Sequence, residues 1–191
     1  IVRATIDGCC PMFIFDSPTP GSGKTTLVDI ATIIATGKDA PKKVFKGGEE
    51  LEKCLLSHLL SQEPVLLFDN VNKQFGGDSL DAMLTARTFN SRILKVSKDA
   101  SIRHHCVVYA TGNNITIKGD LHRRALRARL TPIMENPEHR GDYKHPQILE
   151  YVKTHRADLV AACLLITKAY LDAGSPDVGL APLGSFESWS K

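Results

Sequence analysis

The stretch that most limits the fold of this chain is 13–26, Phe-Ile-Phe-Asp-Ser-Pro-Thr-Pro-Gly-Ser-Gly-Lys-Thr-Thr. A short apolar run at 12–15 has the character of a buried strand. A Pro- and Gly-rich turn follows it, and a helical stretch opens at Lys24. Strand, Gly-rich turn and helix form the context that a phosphate-binding loop requires. Glycines let successive backbone N–H groups turn inward, and the helix N-terminus adds positive partial charge. Pro20, Gly21, Ser22, Gly23, Lys24, Thr25 and Thr26 are therefore the candidate nucleotide-binding residues. Lys24 is expected to reach the β- and γ-phosphates, and the Thr25 hydroxyl to ligate Mg²⁺. The loop departs from G-x-x-x-x-G-K-[ST] at one position, where Pro18 replaces the first Gly.

At 191 residues the chain suits one sizeable domain, or a core with a small appendage. Its five cysteines (Cys9, Cys10, Cys54, Cys106, Cys163) form no C-x-x-C pair. That pattern points to reduced thiols in a cytoplasmic protein and to no structural metal site. No apolar run approaches the roughly 20 residues of a membrane span. The sequence opens and closes in mid-pattern, as a piece of a longer protein would. The net charge of +3 hides an asymmetry. Between Arg92 and Arg129 nine Lys/Arg face two acids, Asp99 and Asp120, so this segment is +7 and the remainder −4. A basic middle in a slightly acidic chain points to a polyanionic partner.

Further elements follow in order. A helix is expected at 24–37, with Leu27, Ile30, Ile33 and Ile34 on its apolar face, then a short strand at 42–46. An amphipathic helix from Glu49 carries Leu51, Leu55, Leu56, Leu59 and Leu60. The run Val-Leu-Leu-Phe-Asp-Asn at 65–70 reads as a buried parallel strand ending in an acid at the sheet's carboxyl edge. Asp69 is the expected Mg²⁺-water ligand, the counterpart of a Walker B acid. Asn70 stands where many ATPases have Glu; an amide orients a water but cannot accept its proton. Glu49 and Glu50 are the nearby acids in sequence. After a helix at 78–87, residues 91–103 read as a hairpin with its tip at 97–100, Lys98 at the tip and Lys95 on the flank. A solvated surface hairpin is the plainer alternative. A strand at 105–111 then delivers Asn113 and Asn114 to its carboxyl end, where an amide can sense a γ-phosphate. A helix from Asp120 would place Arg123 and Arg127 on one face with Arg124 beside it, followed by an edge strand at 130–134. Residues 1–136 form the expected ATPase core, and 137–191 a C-terminal helical segment.

Taken in order, the phosphate loop, Phe68-Asp-Asn70, Ala110-Thr-Gly-Asn-Asn114, Gly119-Asp-Leu-His-Arg-Arg124, Glu135-Asn-Pro-Glu-His-Arg140 and Leu183-Gly-Ser-Phe-Glu-Ser-Trp-Ser190 carry a resemblance. The chain resembles the AAA+-type ATPase domain of primase-helicase proteins from phages and bacterial mobile elements, related in arrangement to superfamily 3 helicases. The resemblance implies an α/β P-loop NTPase fold: a five-stranded parallel sheet in the order 5-1-4-3-2, flanked by helices. It further implies ring assembly, usually hexameric, with ATP and Mg²⁺ bound between subunits, and a primase domain upstream. Carried over by position, Lys24, Asp69, Asn70, Asn114 and Arg124 form the catalytic set. Asn113 or Asn114 is the sensor, and Arg124 the arginine finger, with Arg123 and Arg129 as alternatives. Lys95 and Lys98 would face DNA in the ring channel.

Two readings from different classes follow. One is an ATP-hydrolysing DNA motor acting in replication of a phage or mobile element. The other is a nucleotide-switched DNA-binding or loader ATPase with slow hydrolysis, which Asn70 favours. A small-molecule kinase is disfavoured, because no separate acceptor pocket or Arg-rich lid is legible.

Overall fold

The apolar run at 65–68 can satisfy its backbone and hide its side chains only inside a sheet covered on both faces. The computed structural model places it there; the structure describes residues 1–6, 8–72, 74–93, 98–132, 137–177, 179 and 181–190. The strands are β1 (Met12–Ser17), β2 (Lys42–Lys43), β3 (Val65–Val71), β4 (Thr88–Ile93), β5 (Lys98–Arg103), β6 (Val107–Asn113) and β7 (Ala125–Arg129). The helices are α1 (Lys24–Thr36), α2 (Glu49–Leu60), α3 (Asp78–Thr85), α4 (Ile148–Thr154), α5 (Arg156–Asp172) and α6 (Glu187–Ser190).

Five strands form a parallel sheet in the order β2-β3-β6-β1-β7, and β4-β5 form a separate antiparallel hairpin. The hairpin takes two numbers in chain order, so the label string differs from the expected 5-1-4-3-2. Counting only the members of the large sheet, its order is 2-3-4-1-5, the expected arrangement seen from the opposite edge.

Successive residues of β3 point to opposite faces. Leu66 and Phe68 join a core with Leu51, Leu55, Leu56 and Leu59 of α2 and Leu80, Met83 and Leu84 of α3. Leu67, on the other face, packs with Val28 of α1 and Ala40. Phe45, Phe68 and Phe75 meet edge to face within the first core, with ring centroids 4.6–5.7 Å apart.

Several boundaries depart from expectation. The expected strand at 42–46 shrinks to two residues. Leu60 is exposed at the end of α2. In α1 the buried face is Val28, Asp29, Thr32 and Ile33, one position from the expected stripe, and Leu27 is exposed. Asp29 belongs on that face because its carboxylate accepts the Ala40 N–H (3.1 Å) and pairs with Lys42 (3.1 Å), tying β2 to α1.

The basic segment departs most. Residues 119–123 form a 3-10 turn, not a helix, and the edge strand is β7, five residues earlier than expected. In a strand, alternate residues share a face, so Arg127 and Arg129 stand together. Both donate to Asp16 Oδ2 of neighbouring β1, Arg129 at 2.6 Å. Asp16 is wholly buried, and its Oδ1 accepts the Ile115 N–H at 3.0 Å. The edge strand is thus held by charge as well as by its ladder.

The C-terminal helices lie against the core. Arg156 Nε donates to the Ile33 carbonyl (2.8 Å) near the end of α1, which also accepts the Gly37 N–H (2.8 Å). Phe186 is buried, and Trp189 packs edge-on to Phe13 of β1. Helix α5 buries none of its residues, and Leu164, Leu165, Ile166 and Leu171 are exposed. Among the described residues no helix is long and apolar enough to cross a membrane.

Burial alone would raise the Asp16 carboxyl's pKa. The Arg127 hydrogen bond, the Ile115 amide and the charges of Arg127 and Arg129 outweigh it, and the pKa lies below the ordinary aspartate value. A carboxylate with a lowered folded-state pKa contributes stability that is complete above its unfolded value and is lost as pH falls through the folded one. Asp16→Asn should therefore cost about 2 kcal/mol at neutral pH, less than a fully buried pair because both guanidiniums are partly solvated. Urea unfolding of wild type and variant should show a constant gap down to about pH 4, narrowing below it.

Candidate nucleotide site

The carboxyl ends of β1, β3 and β6 lie side by side, and the turn after β1 wraps the start of α1. Gly21 and Gly23 take positive φ (67° and 81°), a conformation that favours Gly and lets the turn close on the helix. The result is an open cleft of about 450 Å³. It is lined by the turn and helix-start residues at 20–26 together with Asp69, Asn70, Thr111, Gly112 and Asn113.

Lys24 is nearly buried. Its Nζ donates to Asn113 Oδ1 (2.8 Å), Ser22 Oγ (2.8 Å) and the Thr19 carbonyl (3.3 Å). All three acceptors are uncharged. Burial lowers the Lys24 pKa from the ordinary lysine value, and the nearby Asp16 carboxylate opposes that shift. Asp16 is already engaged by two arginines. The site thus holds an ammonium that neutral oxygens solvate and that an entering anion can claim.

Asp69 Oδ1 accepts two hydroxyls at 2.7 Å, from Thr25 and from Thr111. Oδ2 has no protein partner among the described residues. Thr25 and Asp69 are hard oxygen donors bonded to each other beside the loop. This donor set fits Mg²⁺, which takes one or two protein oxygens and fills the rest of its shell with water and phosphate.

A bulge sets this geometry. Phe68 pairs with Ala110 and Val71 with Gly112, so Asp69 and Asn70 together oppose Thr111. Val71 O lies 2.4 Å from where a side-chain carbon on residue 112 would sit, which explains Gly at that position. Asn70 has φ 53°, its N–H donates to Thr111 Oγ1 (3.1 Å), and its side chain is exposed. Asn tolerates this left-handed conformation better than Glu does. The bulge therefore accounts for the residue that looked anomalous in the sequence.

The two sensor candidates separate. Asn113 bonds Lys24, whereas Asn114 Oδ1 accepts from Arg129 Nη2 (2.9 Å) and its N–H donates to the Ser17 carbonyl. Arg124 is largely buried, donating to the Asp81 carbonyl (2.7 Å) and to Asp120 (3.0 Å). Arg123 is exposed and pairs with Asp120 at 2.7 Å. Neither arginine lines the cleft, nor do Glu49 and Glu50, which neighbour Lys53 instead. Among the described lining residues Asp69 is the one carboxylate.

In the hairpin, Phe89 is buried and pairs with Ile102, while Ser91 Oγ donates to Glu52 (2.7 Å), so its base is docked on α2. Lys98 opens β5 opposite Ile93, within a strand and not in a turn as expected. Lys95 and the residues at 133–136 lie outside the described residues. Thr111, which sequence reading passed over, joins the cleft through its bonds to Asp69 and Asn70. Its signal was a hydroxyl in the strand leading to Asn113.

No protein-family model matches the chain, and no match to a curated protein reaches significance. Among solved structures, the A form apo structure of the NrS-1 C-terminal region is similar, with a TM-score of 0.51 at 16% identity over 78% of this chain. This chain spans 36% of the length of that one. At such identity the likeness is one of fold alone.

Proposed function

We propose that this chain is the AAA+-type P-loop ATPase core of an ATP-driven DNA motor, a helicase or translocase serving replication of a phage or mobile element. The observation that carries the reading is the nearly buried Lys24 ammonium, held only by neutral oxygens in a cleft beside a Thr25–Asp69 oxygen pair. Triphosphate is the anion that suits such a cleft: the loop amides take its oxygens and Lys24 its β/γ edge. Thr25 and Asp69 would hold Mg²⁺, which when bound neutralises charge on the transferring phosphoryl group. Asn113 positions Lys24, and Asn70 is exposed at the cleft mouth, where its amide orients a water. The sequence resemblance to primase-helicases supports a replication role, and the fold likeness to the NrS-1 C-terminal region is compatible with it.

In this reading the chain works as a ring, a hexamer by resemblance, in the cytoplasm, with a primase domain upstream. A neighbour's arginine completes each site. Arg124 is the first candidate and would have to leave Asp81 and Asp120; Arg123, already exposed, would move less. Lys95 and Lys98 of the hairpin contact the backbone of single-stranded DNA.

One observation favours the switch reading instead. Asp69 is the one carboxylate among the described cleft residues, and Asn70 cannot accept the proton of an attacking water. A nucleotide-gated loader that hydrolyses slowly fits that composition.

ATP hydrolysis with and without single-stranded DNA, at low and moderate salt, separates the two. The motor reading expects DNA-stimulated turnover that Lys24→Ala lowers about 100-fold or more, the loss typical of removing one preorganised electrostatic contact. Lys98→Ala should weaken the stimulation and reduce the salt slope of DNA binding by about 1. Hydrolysis indifferent to DNA overturns the hairpin assignment. Tight ATP binding without turnover favours the switch.

A further inference from the structure

Thr111 occupies a position from which one hydroxyl governs two neighbours. It is 1% exposed, on β6 opposite the β3 bulge. Its oxygen meets the Asn70 N–H at 3.1 Å and Asp69 Oδ1 at 2.7 Å. A backbone N–H can only donate, so the hydroxyl oxygen must accept there. An ionised carboxylate can only accept, so the single hydroxyl proton must go to Asp69. Both directions are forced, and no rotation of the hydroxyl satisfies either neighbour better.

The consequence falls on Asp69. With Thr25 also donating to Oδ1, that oxygen is engaged from two sides, which holds the carboxylate in this orientation. Among the described residues Oδ2 is left without a partner. Thr25, having given its proton to Asp69, presents lone pairs on the cleft side. The Asn70 N–H bond replaces the ladder contact that the extra residue of the bulge would otherwise forfeit.

We propose that Thr111 is a positioning residue for the divalent cation. It locks Asp69 into one orientation, so that Oδ2 and the Thr25 hydroxyl face the same coordination sphere. This rests on the nucleotide reading of the cleft. Its hydroxyl is taken up by Asp69 and the Asn70 N–H, so it acts through Asp69, as outer hydrogen-bond partners do at metal sites.

The test measures binding, without turnover. The whole chain is titrated with a slowly hydrolysed fluorescent ATP analogue, first in EDTA and then across a Mg²⁺ series. Thr111→Val keeps the shape and removes both hydrogen bonds; Thr111→Ser keeps the hydroxyl. The Mg²⁺ concentration giving half-maximal tightening should rise about 10-fold or more in Thr111→Val. Affinity in EDTA should stay at the wild-type value, and Thr111→Ser should restore the Mg²⁺ response. Circular dichroism checks folding; if Val unfolds the chain, Thr111→Ala carries the same expectation. An unchanged Mg²⁺ response in Thr111→Val, or a Ser variant as impaired as Val, overturns the positioning role alone. A wild-type chain that binds no nucleotide overturns the cleft reading and this proposal together.

Discussion

Parallel pairing of β1 and β3 on either side of β6 is the constraint on which the rest depends. Parallel strands send all their carboxyl ends to one edge, and β1, β3 and β6 are apolar enough to be buried there side by side. Residues far apart in the chain thereby come within hydrogen-bond distance: Lys24 and Asn113 are separated by 89 positions, Thr25 and Asp69 by 44. The bulge in β3 adjusts this alignment by one residue. Without it Asn70, not Val71, would pair with Gly112.

Charge is sorted with equal consequence. The excess of cations at 92–129 looks in sequence like a polyanion-binding face. In the fold, Arg123 and Arg124 pair with Asp120, and Arg127 and Arg129 converge on Asp16. Four of those cations therefore serve the edge strand and the turn before it. Lys24, by contrast, has neutral acceptors only among the described residues. An ion pair already made inside the molecule offers little to a ligand, whereas a buried ammonium solvated by amide, hydroxyl and carbonyl gains from an arriving anion. The cation left without a charged partner in the cleft is thus a single lysine, outside the region of highest charge density.

Local chemistry was legible wherever one periodicity or one short motif decided the outcome. Helix α1 begins at Lys24, α2 at Glu49 and α3 at Asp78, as the apolar spacing and the turn residues indicate. The turn of glycines before Lys24, the buried strand into Asp69 and the strand leading to Asn113 were equally plain, because each depends on neighbours in sequence. The stretch 120–129 was not. Arg-Arg-Ala-Leu-Arg-Ala-Arg has good helix propensity, and only the open edge of β1, with Asp16 buried on it, draws 125–129 into a strand.

By itself the sequence determined the class of the fold, an α/β sheet with a Gly-rich turn between β1 and α1, and that Lys24, Thr25 and Asp69 fall near that turn and the sheet edge. Hydrophobic period and turn chemistry are local properties, and they suffice for that. The tertiary structure alone decided which amide serves Lys24 and which serves Arg129, and that Asn70 sits at a left-handed bulge. It also decided that Thr111 completes the grip on Asp69. Those outcomes depend on register between strands distant in the chain. A shift of one residue in register turns every side chain to the opposite face, and no local pattern encodes where a bulge will place that shift.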